Sequence, residues 1–158
     1  MRIVEDFRHF VTGGGYGKKI ATILSNPCFH CVCLYRFSAF LWKIHLKPLS
    51  KMVWYLNRMW FHVDIDPRAD LAGGFLLVHG LGTVIGCHVK SEGWITVYQG
   101  ITLGGNQGRE KVLEDGTIIQ QPLLKDKVII YTDAGVFGPV VLSEGTVVKA
   151  KEIVTHDK

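Results

Sequence analysis

Aliphatic residues recur at every sixth position along two stretches of the chain, and this period constrains the fold more than any other feature. A period of six fits neither an α-helix, with about 3.6 residues per turn, nor an isolated strand, with about two. It is typical of a left-handed parallel β-helix, in which each six residues form one flat side of a triangular coil. The two columns consist of Ile65, Leu71, Leu77, Thr83, Val89, Ile95 and Ile101, and then of Leu124, Ile130, Val136, Leu142, Val148 and Val154.

Charge divides the chain near residue 62. Residues 1–62 contain nine Lys and Arg against two acids, whereas residues 63–158 contain nine bases against twelve acids. We therefore predict an N-terminal helical segment, 1–62, followed by the β-helix, 63–158. Apolar residues at helical spacing predict helices over about 29–42 and 49–60, with Lys47-Pro48 interrupting between them.

The β-helix is expected to be interrupted once. Ile101 and Leu124 are separated by 23 residues, which is not a multiple of six. The segment between them is rich in glycine and charged residues, so an exposed loop is predicted over about 104–121. A long loop within a compact repeat is usually functional or a subunit contact.

Composition gives further expectations about location and metals. The N-terminus lacks the apolar core of a cleavable signal peptide, so the default location is cytoplasmic. Basic and aromatic residues in the N-terminal segment favour packing against the coil or a neighbouring subunit, with peripheral membrane contact as the alternative. Cys28, Cys31 and Cys33 have no second cysteine pair, which favours buried thiols over a zinc site. Neither a metal nor a nucleic-acid partner is expected.

His79 is the best candidate for a chemical role among the seven histidines. It follows the inward-facing Leu77 and is flanked by Gly80 and Gly82, which would allow a ligand to approach the backbone. A neutral imidazole can take a proton from a hydroxyl as that oxygen attacks a carbonyl. Asp64 lies fifteen residues earlier, nearly one turn of a coil of about eighteen residues, and could orient the ring.

Seven short motifs follow one another between about residues 26 and 150. They are Pro27-x-Phe29-His30, Tyr35-Arg36, Leu41-Trp42, Val63-Asp64-Ile65-x-Pro67-x-Ala69, His79-Gly80-x-Gly82, Val84-Ile85-Gly86 and Tyr98–Gly105. In these motifs the chain resembles the serine acetyltransferase branch of the hexapeptide-repeat acyltransferases, including related polysaccharide O-acetyltransferases.

The resemblance implies direct transfer of acetyl from acetyl-CoA to a hydroxyl, with His79 as the catalytic histidine and Asp64 as its carboxylate partner. It also implies a homotrimer with each site between two subunits. Gly104, Gly105 and Thr132 match positions along which that family lays the CoA arm.

Several departures from this pattern affect the expected acceptor. Val78 stands where serine acetyltransferases carry an Asp, and Gln120-Gln121-Pro122 replaces their Arg-His-Pro. No acid is found in the 17–20 segment, where an acidic residue would help to hold serine. Val78 and Gln121 suit a neutral polyol, so the predicted acceptor is a sugar of a surface or capsular polysaccharide, or its precursor. The family's C-terminal tail over CoA is also missing.

Three alternatives remain open from the sequence. The first is a serine O-acetyltransferase of cysteine biosynthesis with a rearranged acceptor site. The second is a non-catalytic β-helix scaffold, suggested by the short C-terminus and by altered residues after the inward positions. The third is a γ-class carbonic anhydrase, which needs three histidines on one zinc ion, whereas only His79 and His88 lie between residue 63 and the last column residue, Val154.

Overall fold

Four helices precede the β-helix in the computed structural model, which describes residues 1–158. They are α1 (Arg2–Phe10), α2 (Tyr16–Ser25), α3 (Pro27–Lys43) and α4 (Lys47–Phe61). The side chain of Asn26 caps α3 by accepting a hydrogen bond from the Phe29 N–H at 3.1 Å. The helices predicted over 29–42 and 49–60 are confirmed, but Lys47-Pro48 opens α4 instead of interrupting, because proline is tolerated in the first turn of a helix.

The rest of the chain winds into a triangular coil with three parallel sheets as its faces. The first face contains β1 (Asp64–Ile65), β3 (Val84–Ile85), β6 (Thr102–Gly104), β11 (Gly135–Phe137) and β14 (Ile153–Val154). The second contains β4 (Lys90–Ser91), β9 (Leu123–Leu124) and β12 (Val141–Leu142). The third contains β2 (Phe75–Leu77), β5 (Ile95–Val97), β10 (Val128–Ile130) and β13 (Val147–Val148). This is the left-handed parallel β-helix predicted from the period.

Two corners of the coil carry predicted site residues. The "His79 corner" joins the third face to the first and comprises residues 78–83, 98–101, 131–134 and 149–152. The "loop corner" joins the first face to the second and comprises residues 66–69, 86–89, 105–122 and 138–140. The predicted excursion leaves from the loop corner and carries an antiparallel pair, β7 (Lys111–Val112) and β8 (Ile118–Ile119).

The aliphatic columns fill the interior of the coil. All thirteen column residues are at most 2% exposed, including Thr83. Burying one aliphatic side chain stabilises the fold by about 1.5–3 kcal/mol before entropy is subtracted, so the columns are the main source of stability in the coil. The same core continues into α1 and α3 through Phe10, Phe29 and Tyr35.

The coil departs from the strict six-residue period at the His79 corner. Leu77 pairs with Val97, and Ile85 pairs with Leu103. Leu77 and Ile85 are eight positions apart in the chain, whereas their partners Val97 and Leu103 are six positions apart. The first passage around this corner therefore contains two extra residues. The insertion is invisible in the sequence because positions i and i+2 on each face both point inward, so a shift by two keeps the column aliphatic.

A buried ion pair attaches the helices to the first turn of the coil. The Asp6 carboxylate on α1 is fully buried and accepts two hydrogen bonds from Arg36 on α3, at 2.8 and 2.9 Å. It also accepts the backbone N–H groups of Gly74 and Phe75, at 2.9 and 2.8 Å. Arg36 in turn donates to the two carbonyls of residues 71–72, each at 2.6 Å. One ion pair thus joins two helices and the coil.

Tyr35 provides a pH-dependent contribution to stability. Its hydroxyl donates to the Ala69 carbonyl at 2.7 Å, and its burial raises the pKa to about 12 from an ordinary value of 10.0. The folded state keeps the proton that the unfolded state loses near pH 10, so the stability is present below pH 10 and is lost as the pH rises toward 12. We expect this group to lower the free energy of unfolding by about 2–3 kcal/mol over that range.

Urea unfolding at pH 8–12 measures this effect as the difference in pH dependence between the wild type and Tyr35→Phe. Tyr16→Phe serves as the control, since Tyr16 is 79% exposed and its loss should leave the pH dependence unchanged. Parallel pH profiles for wild type and Tyr35→Phe would show that the buried phenol does not contribute.

None of the four helices combines the length and the apolarity needed to cross a bilayer.

Candidate active site

His79 lies on the bulge that the two extra residues create. Its backbone is left-handed, with φ 62°, and Gly80 and Gly82 follow with φ 66° and 72°. A left-handed conformation is uncommon for a residue other than glycine, and residues held in it by the surrounding structure are often found at functional sites. The bulge leaves the imidazole exposed, and its ring nitrogens have no hydrogen-bond partner within the chain.

Two clefts meet at His79, separated by Pro27 and Cys28 at the start of α3. The larger has a volume of about 560 Å³ and lies between α2 and β2. The smaller, of about 200 Å³, is mostly apolar and lies between α3, the end of α4 and the bulge. The larger cleft is lined by Phe10, Lys18, Ala21, Thr22, Ser25, Asn26, Pro27, Cys28, Leu76, Leu77, Val78 and His79. A small molecule in either cleft would be within reach of the imidazole.

The cysteines beside the clefts are not suited to act as nucleophiles. Burial raises the pKa of the Cys28 thiol, although a hydrogen bond with the His79 backbone partly opposes this shift. Burial also raises the pKa of Cys31 to about 12. Because the thiolate is the reactive form, both remain protonated and unreactive at neutral pH. All four cysteines are free, and no three His, Cys, Asp or Glu side chains converge as metal ligands would.

Asp64 lies beside the His79 corner, one rung below Val84. Its carboxylate accepts a hydrogen bond from the Trp54 indole N–H at 2.9 Å and lies 3.6 Å from the Arg58 Nε. The predicted carboxylate and imidazole are thus at the same edge of the coil, but no hydrogen bond joins them within one chain. The pairing remains a prediction. Sequence reasoning missed Trp54 and Arg58 because they lie on α4, outside the repeat.

The other predicted residues are divided between the two corners. Val78 lines the larger cleft beside His79, and Thr132 lies on the His79 corner two rungs further along, about 10 Å away. Gly104 is the last residue of β6 on the first face, and Gly105 follows it at the loop corner. One chain therefore does not bring all of these residues to one place.

Gln121 also lies at the loop corner and is engaged within the chain. Its Oε1 accepts the backbone N–H of His88 at 3.0 Å, and its amide packs against Gly86. The Nε2 lies 3.9 Å from the Cys87 sulfur. These contacts hold the end of the excursion against residues 86–88 in the preceding turn of the coil. The predicted role of Gln121 in binding the acceptor remains a prediction.

The fold and the exposed histidine define a left-handed β-helix protein with a candidate site on one corner. The chain is 32% identical to the serine acetyltransferase of Bacillus subtilis over 137 residues, covering 85% of this chain and 59% of the relative. It thus spans less than two thirds of the length of that relative. No protein-family model matches the chain.

Solved structures show the same fold. The serine acetyltransferase of Neisseria gonorrhoeae superposes with a TM-score of 0.85 at 23% identity, over 98% of this chain and 60% of that one. A serine acetyltransferase in complex with CoA superposes with a TM-score of 0.83 at 23% identity, over 98% of this chain and 61% of that one. The chain is therefore similar in sequence to serine acetyltransferases and shares their β-helical fold.

Proposed function

We propose that the protein is an acetyl-CoA-dependent O-acetyltransferase in which His79 is the general base. The observation that carries the proposal is the exposed imidazole on a bulged corner, where two clefts meet. The sequence similarity to serine acetyltransferases supports the reaction, and the shared fold with a CoA complex supports acetyl-CoA as the donor. A non-catalytic scaffold would not require an exposed, unpartnered histidine at this position.

The reaction proceeds in one transfer step. The acceptor hydroxyl gives its proton to the neutral His79 imidazole as its oxygen attacks the thioester carbonyl. The carbon–sulfur bond then breaks, and the CoA sulfur leaves with the proton from the imidazolium. Asp64, held by Trp54 and near Arg58, lies at the edge of the same corner and is the proposed orienting carboxylate. No covalent intermediate on the protein is needed.

The division of site residues between two corners supports an assembly in which each site lies between two copies. His79 and Thr132 of one copy would face Gly104 and Gly105 of the next, around a threefold axis. A closed ring of three copies forms three equivalent sites in this way. The homotrimer is therefore part of the proposal.

Subunit mixing tests this arrangement. A His79→Ala chain and a Gly105→Trp chain should each be inactive alone, the second because a large side chain fills the space proposed for CoA. Gly105 is exposed, and an added Cβ meets its nearest neighbour at an ordinary 3.7 Å, so a side chain can leave the backbone here without a clash at its first atom. Random co-assembly after refolding should restore about a quarter of the sites. Unchanged inactivity of a mixture proven to contain both chains would show that each site uses one copy.

L-Serine is the first acceptor to test, because the chain is similar in sequence to serine acetyltransferases. A saccharide hydroxyl is the second candidate. It is favoured by one specific observation, that neither cleft at His79 is lined by a carboxylate that could hold the serine ammonium. The predicted polysaccharide acceptor otherwise has no support from the relatives.

Thiol release from acetyl-CoA, measured with L-serine and with a set of mono- and oligosaccharides, distinguishes these acceptors. Turnover with serine alone would assign serine O-acetyltransferase activity. Turnover with saccharides alone would assign the second candidate. Failure of acetyl-CoA to bind in calorimetry would contradict the proposed activity and favour the scaffold.

A further inference from the structure

The larger cleft at His79 is lined by a positively charged side chain and by no negatively charged one. Lys18 on α2 is the only charged side chain among its twelve lining residues, and no Asp or Glu lines it. The Lys18 ammonium donates one hydrogen bond, to the Thr12 carbonyl at 2.9 Å. An ammonium has three N–H donors, so two remain available to a molecule in the cleft.

A mostly buried threonine lies on the same wall, one turn along α2 from Lys18. Thr22 is only 3% exposed, lines the cleft and forms no hydrogen bond within the chain. In contrast, the Ser25 hydroxyl on the same helix donates to the Ala21 carbonyl at 2.9 Å. The Thr22 hydroxyl oxygen is not among the buried polar atoms that lack a partner, so it is open to the cleft and can donate a hydrogen bond to a molecule bound there.

The start of α3 adds to the positive potential of this cleft. Asn26, Pro27 and Cys28 line it, and the N-terminal end of a seventeen-residue helix carries a partial positive charge. The opposite wall, Leu76–Val78, is apolar. A bound ammonium would meet Lys18 and no counter-charge, whereas a bound anion would meet a cation, a hydroxyl donor and the end of a helix.

We propose that the larger cleft binds the acceptor through an anionic group, a carboxylate or a phosphate, held by Lys18 and Thr22. The acceptor hydroxyl then faces His79 at the other end of the cleft. This inference rests on the proposed acetyl transfer and specifies its substrate class. It replaces the neutral polyol predicted from Val78 and Gln121 with a hydroxy compound that carries negative charge.

Acceptors that differ in one charged group test the proposal. L-Serine, L-serinamide and 3-hydroxypropionate share a primary hydroxyl, but the second lacks the carboxylate and the third lacks the ammonium. Removal of the carboxylate should lower kcat/KM by about tenfold or more, the range expected for a lost charge-assisted hydrogen bond, and removal of the ammonium should change it little. Glucuronate and glucose give the same comparison for a saccharide acceptor. Equal turnover of the charged and uncharged members of each set would overturn the proposal.

Variants separate the role of Lys18 from general charge effects. Lys18→Gln should raise KM for the anionic acceptors by about tenfold with little change in kcat, and should abolish the discrimination between charged and uncharged acceptors. Lys19→Gln is the matched control, since Lys19 is the neighbouring exposed lysine on α2 and does not line the cleft. An unchanged KM in Lys18→Gln, or an equal change in Lys19→Gln, would contradict the assignment.

Binding of inorganic phosphate provides a readout that does not depend on turnover. Phosphate titrated into the acetyl-CoA-free protein should shift the NMR amide signals of Lys18, Thr22 and Cys28, and Lys18→Gln or Thr22→Val should weaken the shifts. Absence of these shifts in the wild type would overturn the anion site even if acetyl transfer is observed. Their presence without any acetyl transfer would instead show that the proposed function is wrong.

Discussion

Replacing His79 by alanine should lower kcat for acetyl transfer by about 10²–10⁴-fold while acetyl-CoA still binds. The imidazole is the proposed base at the junction of the two clefts, and it has no hydrogen bond within the chain whose loss would disturb the fold. Without a base, the acceptor hydroxyl must attack while still protonated. Thiol release under saturating acetyl-CoA measures the loss, and calorimetry measures the retained binding.

His88→Ala is the matched control for this experiment. His88 is also an exposed histidine of the coil, but it lies at the loop corner, and its backbone N–H makes the contact with Gln121. We expect its activity to remain within about threefold of the wild type. An activity of His79→Ala within the same range would remove the imidazole from the mechanism and leave the bulged corner without an assigned role.

Replacing Asp6 by asparagine should lower the free energy of unfolding by about 3–5 kcal/mol. The Asp6 carboxylate is fully buried, and the Arg36 side chain is only 11% exposed. The amide keeps the shape of the side chain but removes the counter-charge, so the guanidinium is left buried and unpaired. The backbone N–H groups of Gly74 and Phe75 also lose part of their acceptor. Urea unfolding followed by circular dichroism measures the effect.

An exposed ion pair between the same parts of the molecule supplies the control. Arg2 on α1 pairs with Asp70 in the first turn of the coil, and their side chains are 44% and 50% exposed. Asp70→Asn should therefore cost less than about 1 kcal/mol, because water screens an exposed pair. If Asp6→Asn cost no more than Asp70→Asn, the buried pair would not be the link that holds the helices to the coil.

Most of the architecture could be predicted from local patterns in the chain. The six-residue columns predicted the coil, and residues such as Ile65 and Leu124 are buried within it as expected. Apolar spacing located α3 and α4, and the broken period located the excursion between β6 and β9. Each of these features depends on which side of a strand or helix faces the core, and a single sequence records that information directly.

The candidate site was predictable only in part. His79 could be singled out because glycines follow it and an inward leucine precedes it. The bulge that exposes His79 could not be predicted, since two extra residues leave the alternation of inward positions unchanged. Lys18 could not be assigned to the site from the sequence, because its place beside the larger cleft depends on how α2 lies against β2.

By itself, the sequence determined the kind of coil, its basic six-residue period and the one histidine with a position suited to chemistry. Only the tertiary structure decided which residues share a corner: His79 with Thr132, and Gly105 with Gln121 at another. It also showed that Trp54 and Arg58 engage Asp64, and that Lys18 and Thr22 line the cleft beside His79. The physical reason is that repeat periodicity reports burial, which is local, whereas a site depends on contacts between segments that are distant in the chain.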